Sequence, residues 1–223
     1  HAFHACIHGF ESRTGHHIRF SLPNGKFFLC IFLGECFKLY RYLLSCYTII
    51  KEVVIMKKIA ILLENMYDDK ELIYPYYRMK EAGFHVDLIG AAKDEAYKSK
   101  HGLVMKSDYA SRDVHANDYD GIIIPGGFSP DYMRRTKATV ELVKEFDEQK
   151  KPIAAICHGP WMMVSSCNLK GKTLTGYPSV SIDIEHAGAT YVDQDVVVDG
   201  HLITSRTPDD LPVFMQAIIK SLN

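Results

Sequence analysis

Over most of the chain, short apolar runs alternate with longer stretches of helical periodicity. Lys58 to Leu63, Phe84 to Ile89, Gly121 to Ile124 and Ile153 to Ile156 are such runs. Short apolar runs bounded by charged or turn-forming residues predict strands buried on both faces of a sheet. Asp68 to Ala82 predicts a helix: acidic residues open it, Leu72, Tyr76 and Met79 share a face, and Gly83 stops it. Thr139 to Gln149 predicts a second helix with Val140, Val143 and Phe146 inward. Thr190 to Val198 and His201 to Ser205 read as a hairpin turned at Asp199-Gly200. Thr207 to Asp210 then caps a last helix whose Leu211, Phe214, Ile218 and Leu222 fall on one side. Alternating strands and helices predict an α/β fold, a mostly parallel central sheet with helices on both faces. Sites in such sheets lie beyond the carboxyl ends of the strands. Glu64, Gly126-Gly127 and Cys157 sit at such ends.

The sharpest of these junctions is Pro152 to Trp161. An apolar strand runs into Cys157-His158, and Gly159-Pro160 opens a helix. Strand, sharp turn and helix with a nucleophile at the apex is the geometry of a nucleophile elbow. A thiol beside a helix N-terminus is expected to favour its thiolate, and an adjacent imidazole can return a proton later. Backbone N–H groups at the turn can face a developing oxyanion. The motif alone is equally compatible with a structural cysteine at a strand end.

Composition narrows the class. The chain has 223 residues, 47% of them hydrophobic, 24% charged, with a net charge of −1. That gives no reason to expect nucleic acid or an anionic membrane as partner. Residues 1–55 differ from the rest and hold four of the six cysteines and five of the eleven histidines. Their apolar stretch Phe27 to Ile50 contains Glu35, Lys38 and Arg41, which makes a poor transmembrane helix. Met56-Lys57-Lys58 ahead of the first strand reads as a natural start. Residues 1–55 are therefore expected to be an extension outside the fold, with a membrane or targeting segment as the other reading. Residues 56–223 form the α/β domain. Its cysteines are Cys157 and Cys167 alone, a reduced, cytoplasmic pattern. No cysteine and histidine spacing suggests a metal, and no cofactor is expected.

Four motifs carry a family resemblance: E-L-I-Y-P (71–75), I-I-I-P-G-G (122–127), A-I-C-H-G-P (155–160) and T-S-R-T-P-D-D-L (204–211). With them, Met56 to Asn223 resembles the PfpI family of intracellular cysteine proteases and protein deglycases, within the class I glutaminase-like superfamily. The bacterial general-stress-protein members are the nearer likeness. The resemblance implies a flavodoxin-like three-layer sandwich. It places the nucleophile on Cys157, its histidine on His158, a thiol-bonding glutamate on Glu71, and oxyanion donors on the N–H groups of Gly127 and His158. It also implies a homodimer or higher homo-oligomer with a shared active site, in which a neighbouring subunit supplies an acid. That acid maps onto Asp131, where the archaeal protease-type members have Glu. Gly126 joins the oxyanion turn, and Tyr177 is a candidate for lining the pocket.

Each of these residues has a plainer reading. Glu71 could be a helix-surface acid, Asp131 a helix cap, Gly126-Gly127 a tight turn and Tyr177 a packed aromatic. Cys167 reads as core, and His85, His101, His115, His186 and His201 as surface or locally satisfied groups. The function expected is that of a cysteine hydrolase acting on a small-molecule or peptide substrate. Deglycase or cofactor-independent glyoxalase chemistry on methylglyoxal-type adducts is preferred to peptidase chemistry. The other reading is a non-enzymatic redox-sensing or holdase-like stress protein with an oxidisable Cys157.

Overall fold

The computed structural model describes residues 18–21, 27–30 and 56–223. It divides into two units, residues 1–55 and 56–223. In the first, β1 (Ile18–Ser21) pairs antiparallel with β2 (Phe27–Cys30). Most of Phe27 to Ile50 lies outside the described residues. Among the described residues no helix is long and apolar enough to cross a membrane.

The second unit runs in the order β3 (Lys58–Leu62), α1 (Asp69–Glu81), β4 (His85–Gly90), β5 (Ala96–Lys98), β6 (Val104–Lys106) and β7 (Tyr109–Ala110). There follow β8 (Gly121–Ile124), α2 (Ser129–Met133), α3 (Lys137–Glu148), β9 (Ile153–Ile156), α4 (Pro160–Ser166) and β10 (Thr173–Leu174). The chain then forms α5 (Ser181–His186), β11 (Thr190–Tyr191), β12 (Val196–Asp199), β13 (Leu202–Ser205) and α6 (Leu211–Leu222). Seven strands make the central sheet, in the order β12-β13-β9-β8-β3-β4-β7. Only β12 is antiparallel to its neighbour.

Successive side chains on a strand point to opposite faces, and that alternation builds two cores. Ala60, Leu62, Ile122, Ile124, Ile153, Ala155 and Leu202 pack with α3, α4 and α5 on one side. Ile59, Ile61, Ile123, Ala154, Ile156 and Ile203 pack with α1 and α6 on the other. This is the three-layer sandwich expected, and it explains why these strands read as continuous apolar runs.

Some boundaries differ from the sequence reading. Thr190 to Val198 is not one strand: β11 pairs in parallel with β10, and only Val196–Asp199 forms the hairpin with β13. Asp210 does not cap α6 with its side chain, because its carboxylate binds Arg206. Cys167 ends α4, half-buried against the core. His85, His101, His115 and His201 each meet a carboxylate.

A chain shortened to Met56–Asn223 is expected to unfold cooperatively and to keep full activity, because among the described residues the two cores are built from residues of the second unit. Aggregation or loss of activity on removing residues 1–55 would show that they belong to the fold.

Candidate active site

Three strand ends converge at the carboxyl edge of the sheet. Cys157 follows β9 directly and adopts φ +61, a left-handed conformation that costs a non-glycine residue about 1 kcal/mol or more. The turn is fixed from several sides. The Cys157 N–H donates to the Ser205 carbonyl of β13 (3.0 Å), and the Tyr177 N–H donates to the Cys157 carbonyl (2.9 Å). Pro160 takes the first helical position of α4. The residue is 8% exposed, so its thiol is almost wholly buried.

Beside the thiol stands Glu71, fully buried on the first turn of α1. It is not a surface acid. Asp68 caps this helix, accepting from the N–H groups of Lys70 (2.9 Å) and Glu71 (3.3 Å). Asp68 also pairs with Lys100 at 2.6 Å. Lys100 lies on the tip of the β5–β6 hairpin, which is strapped to α1 by further bonds. Ser99 donates to Asp69 (2.8 Å), His101 meets Asp69 (2.8 Å), and the Tyr67 hydroxyl donates to the Leu103 carbonyl (2.9 Å). Sequence reasoning missed Lys100 and the strap. Asp68 had one signal, an acidic residue just before a helical period.

Glu71 faces two groups at once. Its Oε2 accepts the Gly126 N–H at 2.8 Å. Its Oε1 has no hydrogen-bond partner, and the Cys157 thiol is the ionisable group beside it. Gly126 therefore orients Glu71 and does not donate to an oxyanion, a correction to the sequence reading. It must also be glycine, since a Cβ there would sit 2.7 Å from Glu71 Oε2 and 2.8 Å from both the Cys157 Cβ and the His158 nitrogen. The N–H groups of Gly127 and His158 both face the sulfur and favour its charged form.

Electrostatics differ from expectation. Burial, with the Glu71 charge next, pushes the Cys157 thiol up to about 12, so the turn alone does not yield a free thiolate. Burial, with Asp68 next, pushes Glu71 up to about 7. Two adjacent buried acids cannot both ionise near neutral pH, so the pair titrates as a unit and keeps one proton above about pH 7. That proton stays on the sulfur and the charge on Glu71, so the carboxylate is placed to take the thiol proton as sulfur reacts. Cys167, also held up at about 12 by burial, has no such partner.

His158 completes the pair. Its Nδ1 lies 3.2 Å from the Cys157 sulfur and its Nε2 3.2 Å from the Ser179 hydroxyl. Tyr177, 42% exposed, stacks on the imidazole at 5.0 Å, and Trp161 meets the ring edge-on at 5.1 Å. Tyr177 thus lines the site and is not a packed core aromatic. Burial, with Lys100 next, holds the imidazole below its ordinary pKa, so it is neutral at pH 7. Asp131 stands apart from this group within its own chain. It lies in the first turn of α2, makes no side-chain cap, and its carboxylate binds Arg135.

A model of the DJ-1/PfpI family matches residues 57–221. The chain belongs to the DJ-1/PfpI family. It is similar to YraA of Bacillus subtilis, named provisionally as a cysteine protease, with 46% identity over 158 residues that span 71% of this chain and 94% of that one. It is similar to a protein of Pyrococcus abyssi named a deglycase, with 38% identity over 165 residues that span 74% and 99%. Among solved structures, Drosophila melanogaster DJ-1beta superposes with a TM-score of 0.71 at 28% identity, over 75% of this chain and 91% of that one. These relatives thus carry two different names, a cysteine protease and a deglycase.

Proposed function

We propose that the protein is a cysteine-dependent enzyme of deglycase or glyoxalase type, acting on methylglyoxal or its adducts. The observation that carries this reading is the left-handed Cys157 with Glu71 against its thiol. The Cys157 sulfur adds to a carbonyl carbon, its proton passes to Glu71, and the carbonyl π pair moves to oxygen. The N–H groups of Gly127 and His158 stabilise that oxygen. The hemithioacetal oxygen then takes the proton from Glu71; neutral His158 removes the C–H proton and, through an enediol, returns it to the neighbouring carbonyl carbon, which leaves a thioester of lactate. Water adds to that thioester, His158 accepts its proton, and the carbon–sulfur bond breaks as the proton passes on to sulfur. Each step uses groups of one chain, and Asp131 is assigned none of them. Relatives matched over nearly their whole length carry a deglycase name and a provisional cysteine-protease name, so a peptide is assayed beside the dicarbonyl.

One observation favours a second reading. A Glu71 that is half protonated near pH 7 can donate a hydrogen bond to an oxidised Cys157, as a redox sensor requires.

The test is turnover of methylglyoxal to lactate by wild type and by Cys157→Ser, with a peptide substrate assayed alongside. Wild-type turnover and a loss of roughly 10³-fold or more in the variant are expected. Equal rates for the two proteins would remove Cys157 from the chemistry. Peptide cleavage without methylglyoxal turnover would move the reading to a peptidase. Silence on both substrates, with Cys157 oxidised by mild peroxide, would support the sensor.

A further inference from the structure

The orienting contact on His158 comes from a residue that no motif contains. Ser179 sits in the short 3-10 turn Pro178–Val180. That turn is anchored to the elbow itself, through Tyr177 N–H to the Cys157 carbonyl (2.9 Å) and Val180 N–H to the Tyr177 carbonyl (2.9 Å). Val180 is fully buried, so the turn is pinned from below while Ser179 reaches the imidazole from the exposed side. The ring has little freedom left. Tyr177 covers one face at an interplanar angle of 23°, and Trp161 closes in edge-on.

A neutral imidazole carries one proton, and the partner of one nitrogen decides what the other can do. With Nδ1 facing sulfur at 3.2 Å, a proton on Nδ1 would leave His158 unable to act as a base there. A hydroxyl at Nε2 can accept the ring proton and leave the Nδ1 lone pair free. It does this without charge. A carboxylate in the same place would accept the same ring proton but would also stabilise the imidazolium and raise the basicity of His158.

We propose that Ser179 is a positioning residue that accepts the Nε2–H of His158 and holds the ring in the tautomer whose bare Nδ1 faces Cys157. The inference rests on the reading that His158 moves a proton in this site. It also gives His158 an orienting group from its own chain, in the place the family resemblance gives to Asp131 of a second copy.

The experiment combines ¹⁵N spectra of histidine-labelled full-length protein, His158 being assigned with His158→Gln, and methylglyoxal kinetics. In wild type His158 is expected as the Nε2–H tautomer. Ser179→Ala is expected to mix the tautomers and to lower kcat roughly tenfold with KM within about twofold, and Ser179→Thr to restore both. Ser179 is exposed, so the alanine variant should fold, and a thermal melt checks this. An Nδ1–H tautomer in wild type overturns the proposal, as does an unchanged tautomer or an unchanged kcat in Ser179→Ala. A tautomer lost in Asp131→Asn but kept in Ser179→Ala also overturns it and assigns the orientation to a second copy. Should Cys157→Ser retain turnover, the proposed function fails, while the spectra still decide the contact of Ser179.

Discussion

Glu71→Gln is expected to lower kcat/KM by roughly 10²- to 10⁴-fold, the usual contribution of a positioned general base, and to stabilise the folded protein above neutral pH. Both effects follow from one buried carboxyl beside one buried thiol. In wild type the pair gives up its first proton near pH 7, where burial places Glu71. The acid limb of the pH–rate profile should therefore have its midpoint at about 7 and should vanish in the variant. The stability effect has the opposite direction. Glu71 ionises at about 7 when folded, against a model value of 4.5. Below pH 4.5 it is protonated in both states and costs nothing. Between 4.5 and 7 the folded chain binds the extra proton, so stability falls as pH rises, and above 7 the loss is complete. At 1.36 kcal/mol per unit the loss is about 2–4 kcal/mol. Glutamine keeps an oxygen for the Gly126 N–H but carries no charge. Thermal melts should thus show Glu71→Gln several degrees above wild type at pH 8 and level with it at pH 4.5. A variant with full activity would leave His158 as the sole base. A variant without the alkaline gain would mean that the carboxyl is not strained by burial.

Gly126→Ala is expected to disable the site as thoroughly as losing one of its side chains. The added methyl would lie at 2.7–2.8 Å from Glu71 Oε2, the Cys157 Cβ and the His158 nitrogen together. Two of these atoms cannot rotate aside, being main chain or attached to it, so the elbow must move. A displacement near 1 Å costs roughly 10²-fold in rate, and overpacking roughly 1–3 kcal/mol in stability. Gly83→Ala is the comparison. It has φ +89 and nothing within 4 Å of its added carbon, so it tests backbone strain alone. It should cost about 1 kcal/mol and leave activity unchanged. If Gly126→Ala behaves like Gly83→Ala in the same assays, the close approach of Gly126 to Glu71 does not hold the site together.

Much of this was legible in the chain because it is written locally. Ile122 to Ile124 and Ile153 to Ile156 announce sheet-centre strands, since neither run has a polar face. Leu211, Phe214, Ile218 and Leu222 announce α6 by their spacing, and all four are buried. The Cys157 elbow could be read from strand, turn and Pro160. What escaped was either too short to have a period or made across long separations. Strands β10 and β11 have two residues each and pair across sixteen intervening positions. Lys100 meets Asp68, and Ser179 meets His158, through the fold alone. Gly126 was assigned to the oxyanion turn because a glycine pair advertises free N–H groups, and sequence gives no sign that one is already bound to Glu71. The thiol was expected to ionise easily because a helix start is visible in sequence, whereas burial is not.

The bond from Cys157 to Ser205 has a consequence for how the protein comes into being. The nucleophile's N–H is held by a strand that lies almost fifty residues later in the chain. During synthesis β9 emerges well before β13, and until β13 docks nothing on that side fixes the left-handed turn. A nascent chain therefore carries an ordinary cysteine. The buried elbow, with Glu71 against its thiol, is complete only once the last parallel strand closes against β9.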